Sequence, residues 1–120
     1  MKPSLYAQYL KERSYTGIVE TKEGFATFEY VNQDVVYIKD LYVIPKKRKK
    51  GVAAGFANKI VELAVADGKK LLLGSVDIQA KGAEDSVKVL TAYGMTQYKL
   101  DGTMIYFVKE IAPFEKKEEV

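Results

Sequence analysis

Residues 43–56 read VIPKKRKKGVAAGF, and this stretch decides the fold of the chain. A largely apolar run from Val35 to Ile44 leads through a proline and consecutive basic residues into a series of small residues that starts at Gly51. This order predicts a strand, a basic turn and the first turn of a helix. First-turn N–H groups have no intrahelical partner and lie at the positive end of the helix dipole. The segment therefore predicts a site that a pyrophosphate can approach closely.

The composition limits the chemistry that is available. The chain has 120 residues, 48% hydrophobic and 29% charged, as in a soluble globular domain. It has no Cys and no His, which excludes disulfides, zinc sites of the usual kind and Ser-His triads. No metal is implied, and any acid or base must be Asp, Glu, Lys or Tyr. No apolar stretch approaches the ~18 residues of a membrane span, and the N-terminus lacks a signal-peptide core. We therefore expect a cytoplasmic protein without a membrane partner.

Hydrophobic periodicity predicts an α/β (α+β) fold with a mixed, mostly antiparallel sheet. Runs of β-branched and aromatic residues indicate strands, and apolar residues at helical spacing indicate helices. The predicted strands cover residues 16–21, 25–31, 35–44, 71–78, 95–100 and 103–109. The predicted helices cover residues 4–13, 51–67 and 84–93.

The connections between these elements predict the topology. Short turns join the first three strands into an antiparallel meander. A helix joins the third strand to the fourth, so these two should pair in parallel through a right-handed crossover. The two longer helices end at Gly68 and Gly94, and residues 1–112 form one domain followed by a charged tail, 113–120. The inward stripe of the first of these helices is predicted to be Phe56, Ile60, Leu63 and Ala64.

The turn before that helix matches the motif V-x-P-x-x-[RQ]-x-x-G-x-[GA]. In this strand-to-helix context the match is more specific than a basic glycine loop alone. With the order of elements over residues 16–109, it resembles the GNAT superfamily of N-acetyltransferases. The runs LLLGSV and SVKVLTAYGM are similar to a short GNAT subgroup found in tailed-phage genomes. The motif residues are Val43, Pro45, Arg48, Gly51 and Ala53, with Phe56 at the usual large apolar position and Gly94-Met95 closing the second motif.

The resemblance implies acetyl-CoA as the cofactor. In the family, the amides of this turn hold the pyrophosphate, while the preceding strand bonds the pantetheine arm and polarises the thioester carbonyl. The basic run 46–50 has two other interpretations, a solvated loop or a nucleic-acid contact. Nucleic acid is disfavoured because no stacking aromatics are interleaved with the run. The implied cofactor-binding residues are Leu41, Tyr42, Val43, Arg48, Lys49, Lys50, Gly51, Val52, Ala53 and Ala54.

Two features depart from the family pattern. Only one short predicted helix precedes the first strand, where the family has a strand and two helices. The acceptor cleft is therefore expected to be open or completed by a second copy in a homodimer. The family's Asn early in the second motif and its Tyr general acid align with Ala83 and Leu90. A thiol still leaves as thiolate at modest cost, and the Tyr93 hydroxyl is a substitute acid, with a core role as the alternative.

The resemblance implies acetyl transfer to a primary amine by direct attack. The amine must first lose a proton, and Asp40 is the first candidate base, with Glu29 the second. The structural alternative for Asp40 is a strand-edge carboxylate paired with Lys39 or another lysine. A backbone N–H near Tyr42 or Val43 is expected to meet the oxyanion.

A second hypothesis comes from another class of protein. The chain would keep the acyl-CoA pocket but lack efficient catalysis, and would act as a binding or structural protein associated with phage. The missing Asn and Tyr favour it. The acceptor amine, a small molecule or a protein, is not identified by the sequence.

Overall fold

The computed structural model describes residues 4–5 and 16–113. Each element within this part begins and ends within one residue of its predicted position. Apart from residues 4, 5 and 113, the predicted first helix and the predicted tail lie outside the described residues. The strands are β1 (Thr16–Thr21), β2 (Gly24–Tyr30), β3 (Val35–Val43), β4 (Leu71–Asp77), β5 (Thr96–Asp101) and β6 (Met104–Glu110). The helices are α1 (Val52–Ala66) and α2 (Ala83–Ala92), with a 3₁₀ turn at Pro45–Lys47.

The strands form one sheet in the order β1-β2-β3-β4-β6-β5. The β1-β2-β3 meander is antiparallel, and α1 carries the chain from β3 to a parallel β4, as predicted. The last strand, β6, lies between β4 and β5 and is antiparallel to both. The sheet is therefore mixed, with one parallel pair. Within the described part of the chain, neither helix has the length and apolar character needed to cross a membrane.

Both helices pack on the same face of the sheet. A tyrosine at the end of α2, Tyr93, donates a hydrogen bond to Asn58 of α1 over 2.7 Å. Leu63, predicted to point inward, is 38% exposed because it lies at the edge of the apolar stripe of α1. The other predicted residues, Phe56, Ile60 and Ala64, are buried, together with Ala57. The strands contribute Ala26, Phe28, Val36, Val43, Leu72, Val76 and Phe107 to the same core.

Candidate cofactor site

β3 and β4 are paired only over their first three residues, from Val35–Leu71 to Tyr37–Leu73. Beyond that point β3 continues to pair with β2, and β4 with β6, but not with each other. A bulge accounts for the separation, since Lys39 is an extra residue between the paired positions Ile38 and Asp40. Bulges bend a strand and increase its twist. The result is a wedge-shaped opening between β3 and β4, which we call the wedge.

The hydrogen bonds of β3 identify which of its backbone groups face the wedge. Immediately after the strand, the Ile44 amide donates to a carbonyl of the β1–β2 turn over 2.8 Å, so it points toward β2. N–H directions alternate along a strand. The Tyr42 amide therefore also faces β2, whereas the amides of Leu41 and Val43 face the wedge. Of the two amides expected near an oxyanion, Val43 is oriented for that part and Tyr42 is not.

The turn between β3 and α1 presents six consecutive backbone amides. Among the described residues, the amides of residues 49–54 donate no hydrogen bond. Lys49 (φ 61°) and Gly51 (φ 83°) have left-handed backbone conformations, and such conformations next to right-handed ones direct successive N–H groups into one concavity. A Cβ placed on Gly51 would meet nothing within 4 Å. The concavity is therefore open to a ligand.

The charges around this turn favour an anion. Within the described part of the chain, none of the five basic residues at positions 46–50 forms an ion pair. The first turn of α1 contains no acidic residue, and its N-cap, Gly51, makes no side-chain capping bond. The positive end of the helix dipole and the neighbouring cations therefore act in the same direction.

The Arg48 side chain turns back onto β3. Its Nε donates to the Val43 carbonyl over 2.9 Å, and its guanidinium carbon lies 5.6 Å from the centre of the Tyr42 ring. Its own amide donates to the Pro45 carbonyl. These contacts hold the basic turn against β3. The guanidinium group therefore lies against the strand and does not point in the same direction as the free amides. A direct contact between Arg48 and a phosphate stays a prediction.

The two candidate bases lie on the sheet face away from the helices. Asp40 Oδ2 accepts a hydrogen bond from the hydroxyl of the buried Thr27 over 2.9 Å. Lys39 Nζ lies 3.7 Å from Glu29 Oε2, an ion pair between partly exposed side chains. Lys39, which the structural alternative paired with Asp40, is therefore engaged with Glu29, and Asp40 is held by a hydroxyl. The part of either carboxylate in catalysis stays a prediction.

Tyr93 connects three elements at the end of α2. Besides its bond to Asn58, its carbonyl accepts from Lys109 Nζ over 2.9 Å, and that ammonium lies 4.4 Å from the centre of its ring. Burial raises the pKa of Tyr93, which keeps its hydroxyl protonated. Leu90, which the sequence analysis aligned with the family's tyrosine, packs against the core. These contacts suit a packing residue, and an acid role for Tyr93 stays a prediction.

The start of α2 borders an apolar depression. Its volume is about 340 Å³. Ala83, which aligns with the family's Asn, offers no polar side-chain group there. The lining residues are Ile78, Ala83, Glu84, Val87 and Lys88.

One contact in the wedge was not foreseen from the sequence. The hydroxyl groups of Tyr37 and Ser75 are hydrogen-bonded to each other across it. The sequence motifs gave no part in the site to Tyr37 or Ser75. A serine within the apolar run of β4 is the signal that would have drawn attention to this position.

The family model of the acetyltransferase (GNAT) family matches residues 4–94. No curated protein matches the chain at a significant level. Similar solved structures include a protein assigned to the GNAT family from Desulfovibrio desulfuricans, with 14% identity, 81% of this chain and 69% of that chain covered, and a TM-score of 0.71. An aminoglycoside 6'-N-acetyltransferase complexed with coenzyme A has 11% identity and a TM-score of 0.70, and the match covers 90% of this chain and 79% of that chain. A GNAT acetyltransferase from Elizabethkingia anophelis with acetyl-CoA bound has 12% identity, coverage of 91% and 92%, and a TM-score of 0.68.

Proposed function

This chain belongs to the acetyltransferase (GNAT) family, and on that basis we propose that it transfers the acetyl group of acetyl-CoA to a primary amine. The observation that carries the proposal is the run of six unpaired amides at residues 49–54, in a basic and open turn. Such a concavity at a helix N-terminus suits the pyrophosphate of coenzyme A. The positive charge nearby suits its additional phosphate.

The wedge supplies the path for the rest of the cofactor. From the phosphate site, the pantetheine arm would run along the unpaired edge of β3, past the amides of Leu41 and Val43, while the Val43 carbonyl is already bonded to Arg48. The thioester would then lie deeper in the wedge than Val43, and the Leu41 amide, which also faces the wedge, is our candidate for stabilising the oxyanion that forms when the amine attacks.

The acceptor amine must be deprotonated before it attacks. We propose Asp40 as the base, acting directly or through water, and Glu29 as the second candidate. Asp40 is supported by its exposed position on the face of the sheet that carries no described helix. Glu29 is less suited because it already pairs with Lys39. We propose that a bulky acceptor or a second copy of the chain reaches Asp40 from this face.

Two simple measurements test the proposal. Acetyl-CoA at about one hundred times its dissociation constant should stabilise the fold by ~2.7 kcal/mol, which is visible as a rise in melting temperature. Incubation with a panel of amines and peptides should then release free thiol. The absence of a thermal shift at millimolar acetyl-CoA would contradict the cofactor assignment itself.

The base is tested by Asp40→Asn, with Glu29→Gln as the comparison. If Asp40 removes the proton, kcat should fall by about 100-fold and the rise of rate with pH should flatten. If Asp40 only binds a cationic amine, KM should rise and kcat should change little. Wild-type kinetics in Asp40→Asn at every pH would remove this residue from the mechanism.

The second candidate function is an acyl-CoA-binding protein without efficient catalysis. It is favoured by the apolar character of Ala83 and Leu90, the positions of the family's Asn and Tyr. A Cβ placed on Gly74 would lie 3.7 Å from a Leu90 methyl group, so Leu90 fills this region with apolar atoms. A thermal shift with acetyl-CoA but no thiol release with any amine would select this function.

A further inference from the structure

The hydroxyl pair of Tyr37 and Ser75 lies at the closed end of the wedge. Tyr37 is the last β3 residue that pairs with β4, where it lies opposite Leu73. Ser75 is two residues further along β4, past the last parallel pair, and its Oγ is hydrogen-bonded to the Tyr37 hydroxyl. The hydrogen bond between the two hydroxyls therefore bridges β3 and β4 just beyond the last residues that the backbone pairs. Both side chains are half-buried.

The pair lies on the same face of the sheet as Asp40. Side chains alternate between the two faces of a strand, and the neighbours of this pair, Val36 and Val76, belong to the core under the helices. Tyr37 and Ser75 therefore project to the other face. Asp40 shares that face because the bulge at Lys39 shifts the alternation by one residue.

This position matters for the reaction, and the inference rests on the proposed function. An arm that starts at the amides of residues 49–54 and follows the free edge of β3 leads toward the closed end of the wedge. The sulfur at the end of that arm would thus approach the hydroxyl pair. The usual acid of the family is replaced by Leu90, and the Tyr93 hydroxyl already donates to Asn58.

We propose that Tyr37 is the proton donor to the departing thiolate and that Ser75 is its positioning residue. The amine nitrogen forms the new C–N bond and the C–S bond of the thioester breaks. The sulfur takes the proton of the Tyr37 hydroxyl, and the tyrosine regains a proton from those that the nitrogen releases to Asp40 and water. Amine and thioester become amide and thiol, with no other reactant.

The test compares Tyr37→Phe with Tyr106→Phe. Tyr106 lies opposite Ser75 on β6, so the same hydroxyl is removed from the same face one strand away. Tyr37→Phe should lower kcat by about 100-fold, and Ser75→Ala by about tenfold, whereas Tyr106→Phe should stay within about twofold of wild type. The dissociation constant of acetyl-CoA, measured by calorimetry, should be unchanged in all three variants.

A pH profile separates a proton donor from a residue that only supports the wedge. The wild-type rate should decline at alkaline pH as the donor loses its proton, and this decline should be absent in Tyr37→Phe. Wild-type kcat in Tyr37→Phe would overturn the inference and leave the proposed function standing. Weakened acetyl-CoA binding with an unchanged pH profile would also overturn it, in favour of a structural part. A wild-type chain that binds acetyl-CoA but acetylates no amine would overturn both proposals.

Discussion

The two described helices begin with the same backbone geometry but in opposite electrostatic surroundings. Each follows a left-handed glycine, Gly51 (φ 83°) before α1 and Gly82 (φ 81°) before α2, whose carbonyl accepts from the amide four residues on. α2 carries Glu84 and Asp85 in its first turn, whereas α1 has no acid there and follows a basic run. The dipole of α2 is thus compensated by its own side chains. The α2 start also lacks the row of free amides, because its first amide, that of Ala83, donates to the Ala80 carbonyl. Free amides together with an uncompensated dipole therefore distinguish the proposed anion site.

The largest expected effect comes from placing the same side chain at both glycines. Gly51→Arg should weaken acetyl-CoA binding by about 100-fold or more, about 2.7 kcal/mol, because the side chain fills the space in front of the free amides. Gly82→Arg should leave the affinity unchanged. Calorimetric titration of both variants with acetyl-CoA measures the difference.

Gly51→Arg and Gly82→Arg should destabilise the fold to a similar extent. Both glycines have a positive φ and an open environment, since a Cβ at either would meet nothing within 4 Å. Each variant should therefore lose a similar ~1–2 kcal/mol of stability from the left-handed backbone alone. Equal loss of acetyl-CoA affinity in the two variants would show that the phosphates do not lie at α1.

A smaller effect is expected from exchanging the acid between the helices. Ala54 and Asp85 occupy the same third position of α1 and α2. Ala54→Asp should raise the stability of the ligand-free protein by ~0.5 kcal/mol and Asp85→Ala should lower it by a similar amount, because a carboxylate there complements the dipole. Thermal or urea unfolding at low salt measures both changes.

The same exchange separates stability from binding. Ala54→Asp should weaken acetyl-CoA binding by about tenfold, since its carboxylate competes with the phosphates for the amides. Asp85→Ala should bind acetyl-CoA like the wild type. If Ala54→Asp bound acetyl-CoA normally, compensation of the α1 dipole would be irrelevant to the site.

The smallest effect concerns the C-terminal end of α1, where the Asp67 carboxylate accepts a hydrogen bond from the Tyr30 hydroxyl. Burial, together with the Asp67 carboxylate that accepts the Tyr30 hydroxyl, raises the pKa of Tyr30 to about 12. Because the folded state holds this proton more tightly than the unfolded chain, the associated stability is present below pH ~10 and is lost as the pH rises toward about 12. Melting curves at alkaline pH should show that Tyr30→Phe loses less stability than the wild type as the pH rises. Identical curves would contradict the assignment, and acetyl-CoA affinity at neutral pH should not change.

Much of the fold could be predicted because its signals are local. Gly68 and Gly94 end the helices at left-handed backbone positions, and the crossover from β3 to β4 follows from the length of α1. The basic turn was likewise found because its proline, cations and small residues are adjacent in sequence. Position along the chain thus carried enough information to predict the open basic turn at which we propose that the phosphates bind.

The wedge could not be predicted because it depends on pairing between distant residues. The bulge at Lys39 is a property of the β2–β3 register, and no local sequence pattern in β3 predicts it. The contact of Tyr37 with Ser75 joins residues 38 positions apart. Arg48 was taken from the motif as a cofactor-binding residue, and the direction of its side chain, which depends on the Val43 carbonyl and the Tyr42 ring, could not be predicted.

Amide NMR of the labelled protein during titration with acetyl-CoA shows directly whether the phosphates bind at the start of α1. The amide resonances of residues 49–54 should shift strongly and become protected from exchange, while those at the start of α2, residues 83–86, should stay near their original positions. Large shifts at α2 with an unchanged 49–54 segment, or no specific shifts at millimolar acetyl-CoA, would contradict binding at the start of α1.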